Sequence, residues 1–503
     1  MATDTNGATT GKNVVEYDVL IVGGGFSGVS AAYHLQSTCP GIKFRILESR
    51  KNMGGTWDLF DYPGLRSDSD MYTFGFSFRP WASQSQSIIG TKQTILDYLH
   101  TVVKEFDLQK HVQFQCQVQN ADWDSQQGNW TLTTLQKQNN DDSTTTVTYR
   151  ARYLFSCTGY YDYEEGHTPE FPNRDAFQGP IIHPQHWPKD LDYKDKKIVV
   201  IGSGATAVTL IPSLTEGANA ASHVTMLQRS PTYMANRPSR MTIVPRSLLY
   251  WFGQDAARWF YILLGMFMYY ICQAFPRALS EFFIDGVEHQ IGSDKFKEDD
   301  WTPRYKPWDQ RLCACPDGDF FKTIKSGKAS VVTDHIVEFT EKGVQTEKNN
   351  VLPADIIITA TGLQIRFFGG IKITLDQMPL DMPSRFIYKG FMMNEVPNFF
   401  VAGGYTNASW TLKIDLTMKA ASDLIKIMET KLYRYCQPEL PKPGNEMEAV
   451  PSIDLTSGYI QRSKNLIPRQ STLYPWRLYQ NYLYDRYSLQ FKSLEDDTLK
   501  FYK

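Results

Sequence analysis

Three glycines in GxGxxG spacing, Gly23, Gly25 and Gly28 of DVLIVGGGFSGVSAAYHL, follow an apolar run and open a segment of small residues. That order of strand, turn and helix start suits a pyrophosphate. The first glycine makes the tight turn, the second lets the backbone approach the phosphates, the third lets helix and strand pack closely, and the helix N-terminus stabilises the negative charge. A carboxylate, Glu48, ends the next strand, FRILES, about twenty residues further on. It can accept hydrogen bonds from a ribose diol and would repel a 2'-phosphate, so this first cradle is expected to take an unphosphorylated adenosine such as that of FAD.

The design returns in KKIVVIGSGATAVTL with Gly202, Gly204 and Ala207, and a second dinucleotide fold implies a second dinucleotide. Its acidic position is replaced: VTMLQRS brings Gln228 and Arg229 to the place Glu48 holds in the first unit. A guanidinium pairs bidentately with a 2'-phosphate, which predicts NADPH over NADH. The plainer alternative is a solvated surface arginine. Between the cradles MGGTW supplies Gly55, Thr56 and Trp57, glycine backbone for close approach to a cofactor and a flat apolar wall. Without the first cradle it would read as a loop.

The elements that position these groups follow from pattern. Apolar β-branched runs alternate with amphipathic segments, which predicts an α/β protein with two Rossmann-like dinucleotide-binding domains and a helical insertion. YLFSCTG (Tyr153–Gly159) and IIITATG (Ile356–Gly362), each a buried strand ending in Thr-Gly, mark the crossings between domains. The expected layout is a FAD-binding domain over 13–160, a linker over 161–190, an NADPH-binding domain over 191–352 with the helical insertion at about 241–291, and the rest of the FAD-binding domain with a C-terminal segment over 353–503. A chain of 503 residues has room for two to four such units.

Charge is nearly balanced, 52 Lys+Arg against 54 Asp+Glu, so no global field favours nucleic acid. The seven cysteines form no CxxC and no metal-ligand spacing, and Cys313 and Cys315 read as core or loop thiols; no metal site is expected. Met1–Lys12 is polar and lacks an apolar h-region, so it reads as a loose tail, and a cytoplasmic location is expected. WFYILLGMFMYYIC (Trp259–Cys272) is apolar all round but short for a span, and Arg237, Arg240, Arg246, Arg258 and Arg277 flank it. A buried or interfacial helix is the favoured reading, which leaves peripheral membrane contact through about 259–275 open.

FQGPIIHPQHWP, Phe177–Pro188, lies between the cradles and matches the FxGxxxHxxxWP fingerprint of type I Baeyer-Villiger monooxygenases. With both glycine motifs the resemblance covers nearly the whole chain. YPGLRSDSDMYT, PWDQRLC, LPADIIITATGL and YTNASWTLK make it most similar to the ethionamide-activating subgroup of that family. The resemblance implies that Phe177, Gly179, His183, Trp187 and Pro188 form the interdomain fingerprint, with His183 as a linker hydrogen bond rather than an acid or base. It puts the active-site arginine at Arg311 and its carboxylate partner at Asp68. Trp410 reads as a cofactor-side wall, with core packing as the alternative. Two departures stand out. Gln310 precedes Arg311 where many relatives have lysine, which throws NADPH preference onto Arg229, and Gly403-Gly404 replaces the Gly-Asp pair that holds ribitol in related reductases.

What the resemblance implies is an FAD enzyme that uses NADPH and O2 to convert apolar ketones to esters or lactones through a C4a-peroxyflavin, with sulfides or thioamides as further substrates. Arg311 would hold the peroxide anion while water is excluded. An N- or S-oxygenating flavin monooxygenase is the alternative. A dithiol reductase lacks its CxxC, and a non-catalytic flavin sensor or membrane-docking module is disfavoured.

Overall fold

The computed structural model describes residues 14–82, 87–138, 141–240, 246–348, 351–441, 447–453 and 456–503. The N-terminal tail reading, Met1–Lys12, lies outside the described residues.

DVLIV is apolar on both faces, as a strand covered on both sides must be, and Val19, Leu20 and Ile21 are fully buried. The strand Val14–Val22 pairs in parallel with Phe44–Leu47 and with the end of the long strand Asp141–Ser156. Phe399–Val401, from the far end of the sequence, also joins Asp141–Ser156 in parallel. Asn129–Gln138 and Cys116–Asp124 extend this nine-stranded sheet as an antiparallel flap, Lys372–Leu375 continues it in parallel beyond Cys116–Asp124, and Val112–Gln113 joins in parallel beside Phe44–Leu47 at the other edge. Helix Phe26–Thr38 packs against the 22-residue helix Trp410–Lys431, whose Ile414, Met418, Ala421 and Ile425 are buried. The first domain is thus closed by residues from both ends of the chain.

The second sheet has five parallel strands in the order Ile181–Ile182, Ile356–Thr359, Lys197–Ile201, His223–Gln228, Ala329–Thr333. This corrects the expected boundaries at two places. Ile356–Thr359 was assigned with the first domain beyond 352, and Ile181–Ile182 with the linker, yet both hydrogen-bond into the second sheet. Apolar composition alone does not say which sheet a buried strand completes. The crossings themselves fall at the two Thr-Gly turns. Beyond them Tyr161–Gly166 and Leu363–Ile365 pair antiparallel, so the chain passes out and back through one two-stranded ribbon.

The aromatic insertion forms helices Arg246–Ala274 and Pro276–Ile291, broken beside Phe275 with a bend of 112° between Gly253–Ala274 and Pro276–Ile291. Among the described residues no single helix is long and apolar enough to cross a membrane. Two arginines expected around this stretch turn inward instead. Arg258 is buried and donates to the carbonyls of Tyr72 and Gly75, and Arg237 donates to the Asp68 carbonyl at 2.8 Å and approaches Asp70 Oδ2 at 3.3 Å.

Candidate functional site

The three glycines of the first cradle differ in what they allow. Gly23 has φ +106°, and a Cβ there would stand 2.5 Å from the Cys157 carbonyl oxygen. A Cβ on Gly28 would stand 2.0 Å from the Gly23 carbonyl oxygen, so its absence lets the helix sit on the strand. Gly25 approaches Gly55, with 3.5 Å between the Cβ position and the Gly55 Cα, and both line one cavity.

That cavity, about 480 Å³, is walled by Gly23, Gly25, Glu48, Gly55, Thr56, Trp57, Asp68, Arg311 and Trp410. Nine residues singled out along more than 380 positions therefore meet at one place. Glu48 is buried, and its carboxylate accepts from the backbone N–H of Gly24 at 2.6 Å and of Arg50 at 2.8 Å. Burial raises its pKa against those two hydrogen bonds. Trp57 packs edge-on against Phe74 at 5.7 Å, and Trp410 lies over Gly404, where a Cβ would meet the indole at 2.3 Å. The second glycine of Gly403-Gly404 thus makes room for the Trp410 wall.

Asp68 does not stand with Arg311 alone. Its strand, Arg66–Asp70, also carries Arg66, and Arg237 arrives from the strand Met234–Arg237, which pairs in parallel with Cys313–Pro316 just beyond Arg311. Burial pushes the Asp68 carboxyl up to about 6, against the pull of Arg66, then Arg311, then Arg237, and of the Ala314 N–H. Arg66 is gripped by Asp319 at 2.5 Å, but its Nε and Nη2 donors are buried without a hydrogen-bond partner among the described residues, on a side chain that lines the cavity. These orphan donors, the glycine cradle and the cavity fit a bound dinucleotide with polar edges. Sequence reading missed Arg66 and Arg237. The LRSD run carried a signal for the first, while Arg237 was obscured by its place beside the apolar insertion. It missed Tyr163 as well, whose hydroxyl lines the cavity 3.3 Å from Thr56 Oγ1.

A second cavity, about 100 Å³, shares Gly159, Tyr160, Arg311 and Trp410 with the first. Its other walls are largely apolar: Phe367, Phe368, Ile387, Val401, Ile453, Ile460 and Leu478. Arg311 stands on the wall common to both.

The second cradle lies apart. A Cβ on Gly202 would meet the Ala360 carbonyl oxygen at 2.3 Å, Gly204 has open space, and Ala207 is fully buried. Gln228 is buried, and its amide donates to the Asp300 carbonyl and to Thr333 Oγ1, both at 2.8 Å, so its side chain faces the domain interior. Arg229, the next residue, is exposed. The fingerprint residues join the second domain: Phe177 is in its core, Trp187 packs on it, and a Cβ on Gly179 would strike the Asp355 carbonyl oxygen at 2.4 Å. Pro188 follows Trp187 as the chain leaves the fingerprint. His183 Nε2 lies 3.1 Å from the Gly362 carbonyl, Nδ1 accepts the Gln185 N–H at 3.2 Å, and its ring covers Gly166. It touches one strand of the ribbon at Gly166 and, at Gly362, the turn that leads into the other, and it is absent from the walls of both cavities. No group of three or more potential metal-ligating side chains is found among the described residues.

Comparison with known proteins gives a consistent result. The model of the family described as flavin-binding monooxygenase-like matches residues 18–373. The FAD-containing monooxygenase EthA of Mycobacterium tuberculosis (strain ATCC 25618 / H37Rv) is 44% identical over 493 residues, covering 97% of this chain and 98% of that protein. The probable FAD-binding monooxygenase AlmA of Acinetobacter baylyi (strain ATCC 33305 / BD413 / ADP1) is 44% identical over 496 residues, covering 97% and 96%. Among solved structures, an open cyclohexanone monooxygenase superposes with a TM-score of 0.69 at 23% identity, covering 84% of this chain and 90% of that one. An oxidised steroid monooxygenase bound to NADP gives a TM-score of 0.69 at 22% identity, covering 84% and 88%.

Proposed function

The chain belongs to the flavin-binding monooxygenase-like family, and on that footing we propose that it is an FAD-dependent Baeyer-Villiger monooxygenase. It takes two electrons from NADPH, inserts one atom of O2 beside the carbonyl of an apolar ketone to give an ester or lactone, and releases the other as water. The observation that carries this reading is the place of Arg311, on the wall shared by a cofactor-sized cavity and an apolar one, with a carboxylate facing it. Bound FAD, reduced by NADPH, supplies the activated oxygen. The protein does the rest. Arg311 stays charged at every working pH and stabilises the negative charge that develops on oxygen. Asp68 fixes the direction of that guanidinium. The apolar walls hold a ketone and exclude water. A sulfide or thioamide fits the same chamber and would receive its oxygen on sulfur.

The test is purified, FAD-loaded protein supplied with NADPH, 18O2 and a panel of aryl and alkyl ketones. An ester carrying one 18O atom, and NADPH consumption that rises with ketone, is the expected outcome. Oxides of sulfur or nitrogen compounds with no ester from any ketone would favour the alternative oxygenase. NADPH consumption indifferent to every substrate would remove both readings.

Peripheral membrane contact is supported by one specific observation. Leu263, Phe267 and Tyr270 lie at helical spacing on the outer face of the insertion and are 49%, 59% and 46% exposed, and Phe275, at the bend, is 61% exposed next to Arg277. Co-flotation with anionic vesicles that Phe267→Glu abolishes, with turnover of a water-soluble ketone unchanged, is expected. No flotation of the wild type would refute it.

A further inference from the structure

A 2'-phosphate is a compact dianion, and the second cradle offers it less than the sequence suggests. Of the two side chains at the end of strand His223–Gln228, Gln228 is occupied inside the domain, which leaves Arg229 as the only one facing outward there. The edge to which Arg229 belongs is the carboxyl edge of a parallel sheet, where the turns at Gly202 and after Ile356–Thr359 also emerge and where ligands of such sheets bind.

A segment from the far end of the chain lies over this edge. Helix Gly458–Ser463 packs on Leu363–Ile365, the strand that follows the Gly362 turn, through Ile460 and Ile365, and the segment is tied down by Thr456, whose N–H and hydroxyl both donate to the Asp309 carbonyl, at 3.0 and 3.1 Å. Two residues after Ile460 the helix presents Arg462 on its exposed side. Its neighbours locate it. Arg462 is held below its ordinary pKa by partial burial and by the charge of Arg229, and His167, whose backbone N–H donates to the Gly362 carbonyl, is lowered by burial and by the charge of Arg462. Among the described residues neither Arg229 nor Arg462 has a carboxylate partner within 4.0 Å. Two like charges brought together with no anion between them raise the energy of the free protein and favour whatever anion bridges them.

We propose that Arg462 and Arg229 together form the 2'-phosphate site of NADPH, a pair of guanidiniums contributed by the C-terminal segment and by the second dinucleotide domain. This rests on the reading of the second cradle as the NADPH site. A planar fork from each side can take two phosphate oxygens, and NADH, lacking the phosphate, leaves the cations facing each other.

The test uses the full-length, FAD-loaded protein and two probes, 2',5'-ADP and 5'-AMP, titrated by calorimetry, so that binding is read without turnover. The wild type should bind 2',5'-ADP more tightly. Arg462→Gln should lose roughly tenfold or more of that affinity while 5'-AMP binding is unchanged, the size expected for one charged hydrogen-bonded contact. Arg462→Lys should recover part of it, and Arg229→Gln should lose a similar amount. An Arg462→Gln variant that keeps the full ratio of 2',5'-ADP to 5'-AMP affinity, beside a wild type that shows the preference, overturns the role of Arg462 alone. A wild type with no preference overturns the NADPH reading and this site with it. Unchanged flavin content and Tm in the variants confirm that the ratio reports phosphate recognition.

Discussion

Changing Asp68 to Asn tests the centre of the site. The Asp68 carboxyl has a pKa near 6 even with Arg66, Arg311 and Arg237 around it, because burial outweighs their pull. At pH 8 it is about 99% ionised and at pH 5 about 10%, whereas the guanidinium of Arg311 is charged throughout. If Asp68 aims Arg311 as proposed, that pairing is expected above about pH 6 and lost below it. Ester formed per NADPH consumed should fall in the wild type as pH drops through about 6, with hydrogen peroxide rising in its place. Asp68→Asn should behave at every pH as the wild type does at pH 5, retaining FAD but with a yield per NADPH down roughly tenfold, the scale of one charge-assisted contact. Its profile should be flat through pH 6. Stability should move the other way. A carboxyl whose folded pKa lies above its ordinary 3.8 stabilises the fold fully below that value, and the contribution is lost as pH rises through about 6. Asp68 is partly open to the cavity, so the effect is screened to about 1 kcal/mol, or a degree or two in Tm. The Asn variant should then match or exceed the wild-type Tm at pH 8 and show no advantage at pH 4. Ester and peroxide measured per NADPH from pH 5 to 8.5, beside thermal melts, decide the matter. A step near pH 6 that persists in the variant, or an undiminished ester yield at pH 8, would refute the assignment.

Gly28→Ala should lower Tm and flavin content, since its Cβ would stand 2.0 Å from the Gly23 carbonyl oxygen and overpacking of this kind costs about 1–3 kcal/mol. Gly286→Ala is its control: within helix Pro276–Ile291 and with nothing within 4 Å, it should raise stability by about 0.5–1 kcal/mol in a denaturant melt, with activity unchanged. Arg66→Leu should weaken FAD retention on dilution or dialysis by roughly tenfold, because its side chain lines the cavity and carries two buried, unpartnered donors; undiminished retention would mean that they serve only the packing around Asp319.

Local signals in the sequence carried much of this arrangement. Gly23, Glu48, Trp57, Asp68, Arg311 and Trp410 were each picked out by a short motif, and they wall one cavity. Relations across the chain were harder to read. Ile356–Thr359 is apolar in either sheet, and only its hydrogen bonds assign it to the second. Arg258 and Arg237 sit beside an apolar stretch in sequence, where flanking cations suggest a bilayer. In three dimensions they satisfy backbone carbonyls and a buried carboxylate. Gln228 had the right place for a phosphate contact, but partners 72 and 105 residues away turned its side chain inward.

The linker histidine bears on how the pH experiment is read, because a change in domain arrangement near pH 6 would mimic the loss of the Asp68 pair. The geometry separates the two. The Gly362 carbonyl can only accept and the Gln185 N–H can only donate, so His183 makes both bonds as the neutral tautomer with its proton on Nε2. Burial lowers its pKa below the ordinary 6.5, which favours that neutral tautomer. Protonation of His183 would add a donor at Nδ1 where the Gln185 N–H already points, breaking that bond before the one to Gly362. A change of coupling centred near pH 6 that disappears in Asp68→Asn reports the carboxylate and its arginines, because a contribution from His183 would persist in that variant.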